Sequence, residues 1–178
     1  MTASTAPETD ADDGPPATVA LVTLGCARND VDSEELAARL ERGGYRLVEE
    51  PGDADAVVVN TCGFVETAKK DSVDTLLAAA DLPSTASDRP RKVVAVGCLA
   101  ERYGSELAAA LPEADAVLGF DAYPDIAASV GSVLAGTRPA AHQPLDRRTL
   151  LPLTPVDRAN HPTTVVSGHS PGAPPTPD

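Results

Sequence analysis

The chain has 178 residues, with 27 acids against 14 bases for a formal charge of −13, and three cysteines. That length allows one ordinary domain plus tails, and the acidic balance argues against direct nucleic-acid binding, which needs a basic face. No apolar run approaches the roughly 18 residues of a membrane span, residues 1–16 lack the basic and apolar regions of a secretory signal, and three cysteines are too few for a disulfide scaffold.

Residues 1–17 contain four acids, no bases and three prolines, a composition that cannot offset its own ordering entropy and predicts a disordered tail. The folded part is expected over residues 18–136, where 20 acids and ten bases carry −10 of the total charge. Its first strand is Ala17–Leu24, stopped by Gly25. A helix follows over about 31–42, with Leu36, Ala37 and Leu40 on one face and Gly43-Gly44 ending it. Asn29 or Asp30 is the expected N-cap. Tyr45–Val48 reads as a weak second strand. Ala56–Asn60 reads as a third, continuously apolar and therefore covered on both faces. Val73, Leu76, Leu77 and Ala80 give residues 65–81 a helical period. The fourth strand is Lys92–Val96, followed by a helix across 100–110 that carries a half-buried Tyr103. A short fifth strand at 116–118 precedes a last helix marked by Ile126, Val130, Val133 and Leu134. Residues 137–178 hold nine of the 17 prolines and all three histidines and read as a linker. His142, His161 and His169 lack the mutual spacing of a ligand set. Alternating strands and helices predict an α/β fold of the flavodoxin or Rossmann type, with about five parallel strands and helices on both faces; 2-1-3-4-5 is a common strand order for such a sheet.

Cys26, Cys62 and Cys98 fall just past the first, third and fourth strands, 36 residues apart in each case. No local metal motif has that spacing. On a parallel sheet, however, the carboxyl ends of the strands share the edge where ligands bind. In the order 2-1-3-4-5 these three strands are neighbours, which brings the thiols within roughly 10 Å of one another. Each cysteine also precedes a helix, whose N-terminal amides favour a thiolate, and each stands beside a glycine that lets backbone approach a bulky ligand. On these grounds alone two readings stay open: a metal or cluster site, and a trio of buried structural cysteines. Arg28 reads either as a surface charge or as a counter-charge beside an anionic site. Asn29 and Asn60 are candidates to hydrogen-bond sulfur or a neighbouring loop.

The segments Leu24-Gly-Cys-Ala-Arg-Asn-Asp-Val-Asp-Ser-Glu34, Asn60-Thr-Cys-Gly-Phe-Val-Glu-Thr-Ala-Lys69 and Val96-Gly-Cys-Leu-Ala-Glu-Arg-Tyr103 resemble the N-terminal domain of the radical-SAM methylthiotransferases. The likeness is nearest to the branch that modifies an aspartate of a small-subunit ribosomal protein. It extends into the linker through Asp146-Arg-Arg-Thr-Leu-Leu-Pro-Leu-Thr-Pro155; Ala27-Arg28 stands where that branch commonly has Pro-Lys. The resemblance implies that Cys26, Cys62 and Cys98 hold an auxiliary 4Fe-4S cluster with one open iron, which handles sulfur for methylthiolation. It also implies that S-adenosyl-L-methionine and a second 4Fe-4S cluster belong to a CxxxCxxC module, which these residues lack, as they lack the family's TRAM domain. The chain is then expected to be a cytoplasmic fragment that does not turn over alone, whose full enzyme acts on a ribosomal protein. The rival readings are the tRNA-directed branch of the same family and a non-enzymatic flavodoxin-like docking module with buried cysteines.

Overall fold

The computed structural model describes residues 15–83 and 90–144. The expected tail at 1–14, the linker beyond 144, His161 and His169 lie outside the described residues. Among the described residues, five strands form one parallel sheet: β1 Thr18–Thr23, β2 Arg46–Val48, β3 Ala56–Thr61, β4 Lys92–Gly97 and β5 Ala116–Val117. Their order is β2-β1-β3-β4-β5, the common order for such a sheet. Four helices connect and follow them: α1 Ala27–Arg42, α2 Glu66–Asp81, α3 Cys98–Ala110 and α4 Ile126–Leu134.

Every residue of β3 is buried, because β3 is the central strand and side chains of a strand alternate between two covered faces. Val57 and Val59 meet Val93, Ala95, Leu76, Ala79, Leu99 and Leu107 on the face covered by α2 and α3. Val58 meets Val19, Val94, Val96, Leu36, Leu40, Ile126 and Val130 on the face covered by α1 and α4. The valine-rich strands are therefore shared by two cores, and only a few helical residues per face are needed to close each one.

Two short 3-10 turns, Pro51–Asp53 and Phe120–Asp125, have no apolar period and were not expected. Helix α1 starts at Ala27 rather than near 31, and its N-cap is Cys26 instead of Asn29 or Asp30. The reason is visible in its inward face, where the first two turns bury Asn29 and Ser33 rather than apolar residues. An apolar stripe cannot mark a turn whose buried positions are polar. Among the residues of the expected linker, 137–144 are described, and the His142 amide donates to the Val117 carbonyl at 2.9 Å. No helix among the described residues is long and apolar enough to cross a membrane.

At the amino end of the sheet, Arg91 is 8% exposed. Its guanidinium donates to the carbonyls of Ala54 (3.1 Å), Leu82 (3.0 Å), Gly52 (2.6 Å) and Pro83 (3.0 Å). One side chain thus ties the end of α2 to the loop entering β3. Arg91→Ala leaves those carbonyls without a cationic donor, and urea denaturation should show a loss of about 2–3 kcal/mol, within the range for hydrogen bonds to charged groups.

Candidate functional site

The register of the sheet places the three cysteines. Thr23 pairs with Asn60, Asn60 with Val96, and Thr61 with Gly97. Three strands therefore end almost level, and the next residues of β3 and β4 are Cys62 and Cys98. From β1 the chain makes one tight bend through Gly25 to reach Cys26. Cys26 is exposed, Cys98 half-buried and Cys62 buried, and all three are free thiols.

The glycines beside the cysteines do a different job from the expected one. Gly25 has φ +101°, and a methyl group there would lie 2.7 Å from Cys62 Cβ and 2.8 Å from its Sγ. A methyl group on Gly63 would lie 2.9 Å from the Leu99 nitrogen, and one on Gly97 2.6 Å from the Thr61 carbonyl oxygen. Each glycine thus admits a neighbouring cysteine loop at a distance that any side chain would forbid. The loops close on one another, and this close approach holds the thiols at one edge.

A buried polar network lies beneath them. Asn29 is fully buried, and its side-chain amide donates to the carbonyls of Leu24 (2.6 Å) and Thr61 (3.3 Å). Its Oδ1 accepts from the Cys98 thiol at 3.9 Å. Asn60, also fully buried, donates to the Asn29 carbonyl and to Ser33 Oγ, both at 3.0 Å. Ser72 of α2 accepts the Cys62 amide at 3.0 Å and donates to the Ala68 carbonyl at 2.8 Å. Of the two roles expected for the asparagines, Asn29 shows both, holding loop carbonyls and meeting the Cys98 sulfur, whereas Asn60 holds the first turns of α1. Ser33 and Ser72 escaped the sequence reading, although a signal was present. Each is a serine on the apolar stripe of an amphipathic helix, three residues before Leu36 or four before Leu76, where a hydroxyl is retained only if it has a buried partner.

The thiols differ electrostatically. The backbone amides of Asn29 and Arg28, at the start of α1, hold the Cys26 thiol below its usual value, as expected of a helix N-terminus. Burial pushes the Cys98 thiol up, and negative charge on Cys62 and Cys26 raises it further; the exposed Arg28 opposes this. Arg28 itself is exposed, and its opposing charge is the smallest of these effects on Cys98. Tyr123, buried nearby, is pushed above the usual phenol range by burial first and then by Asp32 and Cys98, so its hydroxyl stays neutral. Tyr103 is half-buried as expected, and its hydroxyl accepts from Lys69 at 3.1 Å. Around the thiols the surface carries exposed apolar side chains: Phe64 (87% exposed), Val31 (64%) and Val65 (52%).

These environments rank the thiols by reactivity. At neutral pH, iodoacetamide should modify Cys26 first, because it combines exposure with a thiol held below its usual value. Cys98 and Cys62 should follow more slowly, and Arg28→Ala should slow Cys98 further by removing the charge that favours its thiolate. Peptide mass spectrometry over a time course reads the order directly.

His142, which the sequence reading set aside as a linker histidine, is buried, with 7% of its side chain exposed. Its ring lies beside Glu101 and Asp121, apart from the cysteines in sequence but one helical turn beyond Cys98 on α3.

The model of the uncharacterized protein family UPF0004 matches residues 18–119, which spans β1 to β5 and all three cysteines. The chain is 68% identical over 157 residues to "Ribosomal protein uS12 methylthiotransferase RimO" of Nocardioides sp., covering 86% of this chain and 32% of that protein. It is 67% identical to the protein of the same name from Frankia casuarinae (79% and 29% covered) and 61% identical to that from Streptomyces coelicolor (86% and 31%). The chain spans about a third of the length of the curated relatives it matches.

Proposed function

The chain belongs to family UPF0004, and from that membership we propose that it is the cluster-bearing N-terminal part of a ribosomal-protein methylthiotransferase. The observation that carries the reading is the gathering of Cys26, Cys62 and Cys98 from three adjacent strand ends onto one edge. Glycines at Gly25, Gly63 and Gly97 make that gathering possible.

The residues fit a 4Fe-4S group by their donor chemistry. Three thiols of different exposure stand on a fixed polar network, and each thiolate raises the cost of the next, as the effect of Cys62 and Cys26 on Cys98 illustrates. A cationic metal group relieves that repulsion, since ligated thiols are deprotonated outright. Cys26, Cys62 and Cys98 would be its protein ligands. When bound, a cubane with three protein thiolates supplies one iron open to an exogenous sulfur species. The chain's own residues then have defined tasks. Asn29 and Ser72 hold the Cys98 and Cys62 loops, the α1 amides favour the Cys26 thiolate, and Arg28 offsets negative charge.

In the full enzyme proposed, a second cluster and S-adenosyl-L-methionine belong to a CxxxCxxC module, a motif absent from these 178 residues. The exposed Phe64, Val31 and Val65 beside the thiols suit an edge that is covered by further polypeptide during the reaction. The relatives' name supplies the substrate proposed, ribosomal protein uS12, and the cytoplasm is the compartment proposed for it.

A chimera tests the reading. The corresponding third of the Nocardioides relative is replaced by this chain, and the hybrid is expressed in bacteria lacking their own enzyme. Mass spectrometry of uS12 should show the gain of one methylthio group, and Cys62→Ala in the hybrid should abolish it. A hybrid that instead methylthiolates tRNA, or that modifies uS12 equally well without the three cysteines, contradicts the proposal.

A further inference from the structure

Away from the thiols, Glu101, Asp121 and His142 bring one ligand atom each to within 4.8 Å of one another. Glu101 comes from α3, Asp121 from the 3-10 turn Phe120–Asp125, and His142 from the segment after α4. His142 Nδ1 lies 3.1 Å from Asp121 Oδ1, and His142 Nε2 lies 3.3 Å from Glu101 Oε2. The bonds of about 2.0–2.2 Å in a tetrahedral zinc site place ligand atoms about 3.3–3.5 Å apart. The Nε2–Glu101 separation matches that of two ligands on one ion, whereas the short Asp121 contact is made with the opposite ring nitrogen, and one ligand atom of each residue lies within 4.8 Å of the other two.

The site is built for this histidine. A methyl group on Gly104 would lie 2.7 Å from the His142 carbonyl carbon, and one on Gly119 2.6 Å from its ring Cγ. Gly119 has φ −82°, an ordinary backbone conformation, so its small size serves the imidazole and not a turn. The His142 amide is fixed on Val117, and Glu101 Oε2 accepts the Phe120 amide at 2.9 Å, which orients the carboxylate as outer-shell bonds orient metal ligands. Within this arrangement the side chain of His142 is more than nine-tenths buried, and its Nε2 has no hydrogen-bond partner. That nitrogen faces the Glu101 carboxylate, a buried contact that is favourable only with a proton or a metal ion between them.

We propose that Glu101, Asp121 and His142 form a second metal site, independent of the three cysteines, which binds a borderline divalent cation of the zinc class. One imidazole and two carboxylates suit such an ion, with water completing its shell. The ion ties the segment that follows α4 to α3, the helix that begins at Cys98. It is a structural staple that sets where the polypeptide leaves the domain.

The test uses the 178-residue chain carrying C26S, C62S and C98S, so that zinc cannot occupy the thiols, with circular dichroism confirming the fold. Calorimetric titration should find one zinc ion per chain. Asp121 has a largely exposed side chain (74%), so D121N keeps the fold and should weaken zinc by more than about tenfold, the scale on which even outer-shell changes act. H142A should abolish binding. In an imidazole nitrogen-15 spectrum, zinc should shift the His142 signals to metal-bound positions and leave His161 and His169 unchanged. Absence of zinc uptake, uptake that D121N and H142A leave unchanged, or His142 signals that zinc leaves unmoved would each overturn the proposal.

Discussion

Gly97→Ala should destabilise the domain by about 3–5 kcal/mol, the largest single effect expected outside the thiols. Two costs add. Gly97 has φ +91° and ψ −166°, a region open essentially to glycine alone and costing other residues about 1–3 kcal/mol. A methyl group would also enter van der Waals contact distances with the backbone of Thr61, 2.6 Å from its oxygen and 2.8 Å from its nitrogen. Backbone cannot rotate away as a side chain does, and overpacking of this kind typically costs a further 1–3 kcal/mol or so. Because Gly97 joins β4 to Cys98, the same substitution should also lower iron uptake in the fraction that folds. Urea denaturation of the metal-free chain separates the two effects. A midpoint shift at the Gly44→Ala control, where nothing lies within 4 Å of an added methyl group, should come from its backbone conformation alone and be the smaller.

The second large effect concerns the thiols. Cys26→Ala, Cys62→Ala and Cys98→Ala, each made separately, should leave a chain that retains little iron after anaerobic reconstitution, because two thiolates do not hold a cubane that uses three protein ligands. The variants differ in their other consequences. Cys26 is exposed and Cys98 half-buried, so their removal should barely change the stability of the metal-free chain. Cys62 is 6% exposed and packs against Gly25, so its truncation leaves a small cavity and should cost about 1 kcal/mol as well. Equal iron loss with unequal stability loss is the signature of ligands; iron loss that follows stability loss would describe structural cysteines.

Much of this architecture is legible in the sequence, and the reasons are local. The run Ala56-Val-Val-Val-Asn60 has one physical use, a strand covered on both faces, and it stands at the centre of the sheet. Alternation with helical segments then restricts the connections to parallel crossovers, and the cysteines follow the strands to one edge. What escaped reading was polar. Asn29 and Ser33 occupy inward positions of α1 where an apolar pattern expects leucine or alanine, so the start of the helix was placed a turn late. The glycines beside the cysteines were legible as close approaches, but a sequence does not say whether a ligand or another loop comes near. His142 was the largest surprise. Its neighbours in sequence are prolines and alanines, and the carboxylates it meets come from residues 21 and 41 positions earlier. No periodicity connects them. Only the docking of the segment on Gly104 and Gly119 does.

The central claim, that three strand-end thiols hold one iron–sulfur cluster, is tested most directly by anaerobic reconstitution of the chain with iron and sulfide. Desalting and quantitation of both elements follow. The account predicts about four irons and four sulfides per chain, the content of one cubane, with all three thiols protected from iodoacetamide. A chain that stays free of iron and sulfide, with Cys26 still reacting at its metal-free rate, would contradict it.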